Sequence, residues 1–389
     1  MNPTTTRRHF LKTAAGAGLA LPSALAAQQA AAPAPKPAFE TRALGKTGIR
    51  LPILSMGVMR ADNPGVVRAA LKSGIVHLDT AHVYQHGRNE QMLGKVLKGT
   101  PRDAFVIATK VKPSNRPDNP DNPRLLLEKF NTSMERLGLE YVDILYLHAI
   151  GDPAFVTNRA IMDALLSIQK SGRARHLGVS THQNEVAVID AVIAAQIYGV
   201  VLTAYNFRKA SGPAGDIRAA VARAAKAGLG VVAMKTMAGA KDVNIPAALK
   251  WALRDRNVTT AIPGFTNFEE LDVCLKAAAN LEYTAEEKAF LAGADGIGTL
   301  YCQQCRRCDG QCPRDLPIPD LMRAYMYAHG YRQPAKARET LDELALAENT
   351  AALCASCGDC SVRCAIGFDV AAKVRDIARL RDVPEAFLV

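Results

Sequence analysis

Phe105–Val111 (FVIATKV) and Val142–His148 (VDILYLH) are apolar on both faces, and residues 123–137 between them carry a helical pattern. Strands with no polar face are buried on both sides, and a helix between two of them calls for parallel pairing through a crossover. The alternation recurs on either side of this pair. Strands are expected at 53–58, 76–80, 174–180, 200–205, 230–235 and 259–264. Helices are expected near 65–73, 88–98, 158–171, 184–195, 215–227, 246–253 and 268–278. Eight such units predict an α/β fold, a (β/α)8 TIM barrel, over residues 39–295. A doubly wound open sheet competes with it, but no G-x-G-x-x-G follows the first strand and the unit count is that of a barrel.

In such a barrel the chemistry sits where strands end at the C-terminal face. The second strand ends in Asp79 with Tyr84 five residues on, the third in Lys110 and the fourth in His148. Singly, Asp79 could cap a helix and His148 could be a satisfied, half-buried histidine. Together, in the segments GIVHLDTAHVYQHGRNE (74–90), FVIATKV (105–111) and MERLGLEYVDILYLH (134–148), they resemble the aldo-keto reductases. Gly178-Val179-Ser180 resembles a later segment of the same family. The resemblance covers roughly residues 40–280 and implies that Asp79, Tyr84, Lys110 and His148 are a catalytic tetrad. The residue types suit that role. A phenol with a reference pKa near 10 needs tuning to move protons at neutral pH. Lys110 would stabilise the tyrosinate of Tyr84, Asp79 would hold Lys110 charged, and His148 would orient the substrate oxygen. His82 and His86, beside Tyr84, read as solvated loop residues.

The resemblance also implies NAD(P), and here the pattern departs. Where the family often has Ser-Asn after the fifth strand, this chain has Ser180-Thr181; Leu202 stands at a sixth-strand Gln, and Met234-Lys235 replaces a stacking Tyr. The family's IPK-S…R motif appears as Ile262-Pro263-Gly264-Phe265, with Glu270 at the Arg. Losing two cations weakens any charge-assisted hold on a 2′-phosphate. The implied nucleotide contacts are Ser180, Thr181, Lys235, Gly264 and Asn267, the last two through backbone amides near a helix start.

Eight of nine cysteines fall into two runs of one spacing: Cys302, Cys305, Cys308 and Cys312 read C-x2-C-x2-C-x3-C-P, and Cys354, Cys357, Cys360 and Cys364 repeat it, ending in C-A. Structural zinc usually pairs two C-x2-C knuckles, and disulfide frameworks belong to small secreted chains. The spacing predicts two [4Fe–4S] clusters. It resembles ferredoxin-type pairs, in which the fourth cysteine of each run serves the other cluster. That implies one cluster on Cys302, Cys305, Cys308 and Cys364, and a second on Cys354, Cys357, Cys360 and Cys312. Helical patterns at 320–329 and 335–348 make the tail, 296–389, a small, mainly α-helical ferredoxin-like domain. Barrel and tail together resemble the aldo-keto reductase branch with a C-terminal α-helical ferredoxin domain. Cys274 and Trp251, on barrel helices, read as packing.

Thr6-Arg7-Arg8-His9-Phe10-Leu11-Lys12, followed by a weakly apolar run to Ala26, resembles a twin-arginine export signal. A signal peptide is expected at 1–26, cleaved after Ala24-Leu25-Ala26, and an Ala/Pro linker at 27–38. The run is too short to anchor in a bilayer. The twin-arginine translocase carries folded cargo with clusters already inserted, so periplasmic residence is expected. The formal charge of +11 falls to +8 without Arg7, Arg8 and Lys12, and no basic block interleaved with aromatics suggests nucleic acid. The expected activity is interconversion of a carbonyl and an alcohol, or reaction of a quinone, with tightly held NAD(P). The clusters would pass electrons to a redox carrier protein. Two other readings stand beside it: an ordinary NAD(P)H-dependent carbonyl reductase with structural clusters, and a non-catalytic electron-transfer module. The four strand-end residues count against the last.

Overall fold

The computed structural model describes residues 39–208, 216–239, 242–293, 302, 307–344, 346, 349–358, 360–365 and 367–388. The expected signal peptide and linker, and Cys305, lie outside the described residues. Among the described residues there are ten strands: β1 (Thr41–Ala43), β2 (Arg50–Pro52), β3 (Met56–Gly57), β4 (His77–Asp79), β5 (Val106–Val111), β6 (Val142–Leu147), β7 (Ala174–Thr181), β8 (Val200–Ala204), β9 (Gly230–Met234) and β10 (Thr260–Ala261). β3 to β10 pair in chain order, all in parallel. A parallel bridge between Leu54 and Ala261, with hydrogen bonds from Ser55 N to Ala261 O (2.9 Å) and Gly57 N to Pro263 O (3.0 Å), joins the first strand to the last. This is the eight-stranded barrel that the alternation predicts.

The helices on its outside are α1 (Pro64–Lys72), α2 (Arg88–Leu97), α3 (Asn122–Leu137), α4 (Ala154–Thr157), α5 (Arg159–Lys170), α6 (Glu185–Ala195), α7 (Ile217–Lys226), α8 (Ile245–Leu253), α9 (Phe268–Ala279) and α10 (Ala285–Ala292). Their starts follow side-chain capping: Asn63, Asn158, Asp216, Asn244 and Asn267 each accept a backbone N–H of the first turn, which satisfies groups a helix start leaves open. Cys274 is buried, whereas Trp251 is only partly so and packs on the Tyr205 ring at 4.9 Å. The sequence reading did not anticipate α4, α10 or the antiparallel β1–β2 hairpin. That hairpin drives Leu44 and Leu51 into the barrel interior against Val200, Leu202 and Val232. Backbone contact here is close enough to require glycine: a Cβ on Gly45, at φ +55°, would sit 2.3 Å from Gly230 N.

The tail carries α11 (Ile318–Tyr325), α12 (Pro334–Glu343), α13 (Thr350–Ala355) and α14 (Val370–Ala378), and α11 runs on into a π-helical turn, Met326–Gly330. Their apolar faces bury Ile318, Leu321, Met322, Leu341, Val370, Val374 and Ile377 around the cysteines. Barrel and tail belong to one unit, Pro35–Val389. Lys112 pairs with Glu343 of α12, and Asn115 Nδ2 donates to the Glu343 carbonyl at 2.8 Å. Among the described residues no helix is long and apolar enough to cross a membrane.

Candidate active site

Asp79 ends β4 and Lys110 lies near the end of β5; both are buried, at 2% and 1% exposed. The Lys110 ammonium has three donors and three acceptors here: Asp79 Oδ1, the Thr80 carbonyl at 2.6 Å and the Tyr84 hydroxyl at 3.2 Å. Tyr84 opens a short turn in which Gln85 and His86 adopt left-handed backbone (φ +50° and +53°), a conformation costing about 1–3 kcal/mol per non-glycine residue. The turn is tied down to offset that. Gln85 Nε2 donates to the carbonyls of Met59 (3.1 Å) and Ala61 (3.2 Å), and Asn89 Nδ2 to that of Val58 (2.7 Å). His148 follows β6, its ring edge-on to Tyr84 with centroids 5.7 Å apart and its Nδ1 buried without a hydrogen bond.

Electrostatics set the resting protonation states. Burial raises the Tyr84 phenol above its ordinary value; Lys110 pulls it down, but Asp79 and Tyr327 add to burial and the net shift is upward. Tyr84 therefore holds its proton at neutral pH, ready to donate it. Burial opposes the charge on Lys110, yet Asp79 and Tyr84 outweigh it and raise the ammonium. His148 is held well below the ordinary imidazole range, first by burial and then by Lys110, Lys336, Lys112 and Arg323, so it is neutral. His82 is not the solvated loop residue that the sequence suggests. It is half-buried, 3.3 Å from Ser133 Oγ, and burial and then Arg136 push it down to about 4.

These residues open into a cleft whose two parts meet at Tyr84. The first, about 510 Å³, is bounded by Tyr84, Lys110, Lys112 and His148 from the barrel and by Arg323, Tyr327 and Lys336 from the tail. The second, about 410 Å³, runs over the ends of the last strands past Asn206, Lys235 and Gly264, and is walled by Met326, Tyr331 and Cys302. Among the nucleotide contacts implied by sequence, Ser180 faces the first part and Lys235 faces both, while Gly264 lines the second. Thr181 does not line either part: it is fully buried and donates to the Gln183 carbonyl at 2.8 Å. At α9, Asn267 accepts from Glu270 N (2.8 Å), and the Glu270 carboxylate accepts from Thr266 N (2.7 Å) and Oγ1 (2.9 Å). A carboxylate thus stands at the helix start where a phosphate was expected. A slot with amide and glycine walls fits the nicotinamide end of a dinucleotide; the α9 end fits a 2′-phosphate poorly, because like charge repels.

In the tail, Gln311 of the first cysteine run clips the second. Its side chain accepts from Arg363 N (2.7 Å) and its carbonyl from Ser361 Oγ (3.0 Å). The Cys354 thiol is raised first by burial, countered by Arg375, and raised further by Cys360, Cys357 and Cys312. The crossed ferredoxin pattern assigns these four residues to one cluster. Cys308 is buried in the tail core, with Cys302 and Cys364 packed on it. Among the described residues no three metal-ligating side chains are arranged to hold a single ion. Sequence reasoning missed the cleft residues contributed by the tail, Arg323, Tyr327, Tyr331 and Lys336, because nothing in a helical pattern says which charged face meets a cleft.

Comparison with known proteins agrees with this architecture. Residues 56–242 match the aldo/keto reductase family and residues 301–369 the 4Fe-4S dicluster domain. L-glyceraldehyde 3-phosphate reductase of Escherichia coli (strain K12) is 31% identical over 163 residues, covering 38% of this chain and 46% of that protein. The chain thus spans about half the length of that relative. Methylglyoxal reductase DkgB of Escherichia coli O157:H7 is 29% identical over 265 residues, covering 63% of this chain and 93% of the relative. Among solved structures, aldo-keto reductase AKR11C1 from Bacillus halodurans (holo form) shares the fold, with a TM-score of 0.54, 21% identity, and coverage of 65% of this chain and 95% of that one. The chain thus joins a region similar to the aldo/keto reductase family to a C-terminal region similar to the 4Fe-4S dicluster domain.

Proposed function

We propose that the chain interconverts a carbonyl and an alcohol at Tyr84, inside an exported, periplasmic protein whose clusters link the cleft to a one-electron carrier. The observation that carries this reading is the Lys110 ammonium, held between Asp79 and the Tyr84 hydroxyl at the floor of the cleft. In the reducing direction Tyr84 donates its proton to the carbonyl oxygen as negative charge develops there. Lys110 stabilises the phenolate left behind, Asp79 keeps Lys110 in place, and the neutral His148 orients the oxygen. A nicotinamide in the second part of the cleft would supply hydride. With Glu270 at the start of α9, the favoured cofactor is NAD rather than NADP. Clusters on the eight cysteines would supply one-electron transfer. The export signal resembled by residues 6–12 supports the periplasmic assignment.

A Tyr84→Phe variant tests the chemistry, since it removes the proton donor and leaves the cavity. Turnover of aldehyde with NADH should fall about 10²–10⁴-fold, with iron content and nucleotide binding unchanged. Full activity in that variant would refute the tetrad reading. Protein taken from a periplasmic fraction and denatured should release NAD; release of NADP would refute the cofactor assignment.

A further inference from the structure

Tyr146 stands inside the barrel beside Lys110. Strand side chains alternate between the interior and the helices outside. On β5, Ala108 belongs to the interior cluster and Lys110 follows it on the same face. Lys110 is the register partner of Tyr146 on β6, which packs in that cluster with Leu44, Ala108, Ile144 and Leu202. Gly178 on β7 makes room for the ring: a Cβ there would lie 2.6 Å from Tyr146 Cδ1 and Cε1. Tyr146 is fully buried, yet its hydroxyl has no hydrogen-bond partner among the described residues. The same holds for Asp79 Oδ2, because Lys110 is taken up by Oδ1.

Packing does not account for the hydroxyl. Phenylalanine would fill the same space, whereas a buried hydroxyl left unpaired forfeits the hydrogen bond it made to water. A molecule in the cleft does not account for it either, since Tyr146 lines neither part. The hydroxyl is nonetheless within electrostatic reach of Asp79: burial and then Asp79 hold the phenol well above its ordinary value. It therefore keeps its proton and can only be useful as a donor. Asp79 needs one. Burial raises its carboxyl, and Lys110 counters that without cancelling it, so a donor at Oδ2 would favour the ionised form. His77, two residues before Asp79 on the same face of β4, is pushed down to about 3 by burial and then Lys110. His148 is likewise neutral, which leaves Lys110 as the cation beside this carboxylate.

We propose that buried water links the Tyr146 hydroxyl to Asp79 Oδ2, making Tyr146 a positioning residue for the tetrad. The two groups make no direct hydrogen bond, and buried water is held by polar groups that otherwise lack partners. A carboxylate oxygen accepts two hydrogen bonds. A molecule in the second part of the cleft, which Asp79 also borders, can therefore share Oδ2 with the water. Influence then runs from Tyr146 through water to Asp79, from Asp79 to Lys110, and from Lys110 to the Tyr84 hydroxyl. The inference deepens the reading of Tyr84 as proton donor and rests on it.

The test uses the full chain with its clusters intact. A crystal structure should show ordered water, one molecule or a linked pair, bridging Tyr146 Oη and Asp79 Oδ2, and Tyr146→Phe should remove it. Infrared titration reads the carboxyl itself, the Asp79 band being the carboxylic-acid band that Asp79→Asn deletes. In Tyr146→Phe this band should appear about one pH unit higher, a tenfold rise in proton affinity, because the ionised form loses a hydrogen bond. A packing role alone would leave the band in place. No bridging water in the wild type, a direct Tyr146–Asp79 hydrogen bond, or a band that stays put or moves down would overturn the proposal. The wild-type structure keeps the test decisive should Tyr146→Phe fail to fold. Tyr84→Phe separates the two levels: full turnover there would remove the catalytic reading and leave the water site standing.

Discussion

The barrel and the tail are held together by different means. The barrel closes on itself through eight parallel strands and buries long runs of Val, Leu and Ile, inside and under its helices. The tail's core has eleven buried apolar residues among those described, and the cysteines pack against it. With so few buried apolar residues, the tail should depend on the clusters its cysteines would hold more than the barrel does. The comparison teaches that the active cleft has one self-sufficient wall and one dependent wall.

The most drastic way to break the comparison is to withdraw the clusters. Extraction of iron with a chelator under reducing conditions, or Cys354→Ser, should unfold the tail, because binding free energy of a structural metal is folding free energy. Trp251, the chain's one tryptophan, is on the barrel helix α8 and should keep its native fluorescence, while proteolysis cuts the tail. Simultaneous loss of the Trp251 signal would mean that the barrel leans on the tail after all.

Acid should act on the opposite region. His77 is fully buried in β4, neither ring nitrogen has a hydrogen bond, and burial pushes it down to about 3, with Lys110 adding to the effect. The unfolded chain protonates this group near its ordinary value, so stability is intact above about pH 6.5 and is lost as pH falls toward the folded value, by up to about 1.4 kcal/mol per pH unit. Urea unfolding followed at Trp251 should show this slope between pH 6.5 and 4. His77→Leu should flatten it, and an unchanged slope would exclude His77 as the cause.

The seam between the regions should give the smallest effect. Lys112→Ala removes one half-exposed ion pair to Glu343, worth about 0–1 kcal/mol. Tail unfolding measured by proteolysis should shift slightly and the Trp251 transition not at all. A large shift would show that this pair, rather than apolar contact, holds the tail in place.

Much of this was legible in the sequence. The barrel strands and the helices between them follow from runs apolar on both faces, since a buried parallel strand leaves no other pattern. The tetrad residues meet because each sits at or just beyond a strand end. Thr181 shows where such reading fails. Neighbours in a strand point to opposite faces, so once Ser180 faces the cleft, Thr181 turns away from it. Leu44 and Leu51 were out of reach for a different reason: β1 and β2 are three residues each, too short to show a period. Glu270 was noticed as a lost arginine, but only the fold shows that its carboxylate occupies the Thr266 amide.

The shared cleft has a consequence for heat. Arg323, Tyr327 and Lys336 belong to the less self-sufficient region, yet they form part of the wall around the reacting groups. Warming should therefore blur the substrate wall before it loosens a single barrel strand. The proposed catalysis should fade at the melting temperature of the smaller half, and a calorimetric peak for the barrel would overstate the range in which the cleft stays whole.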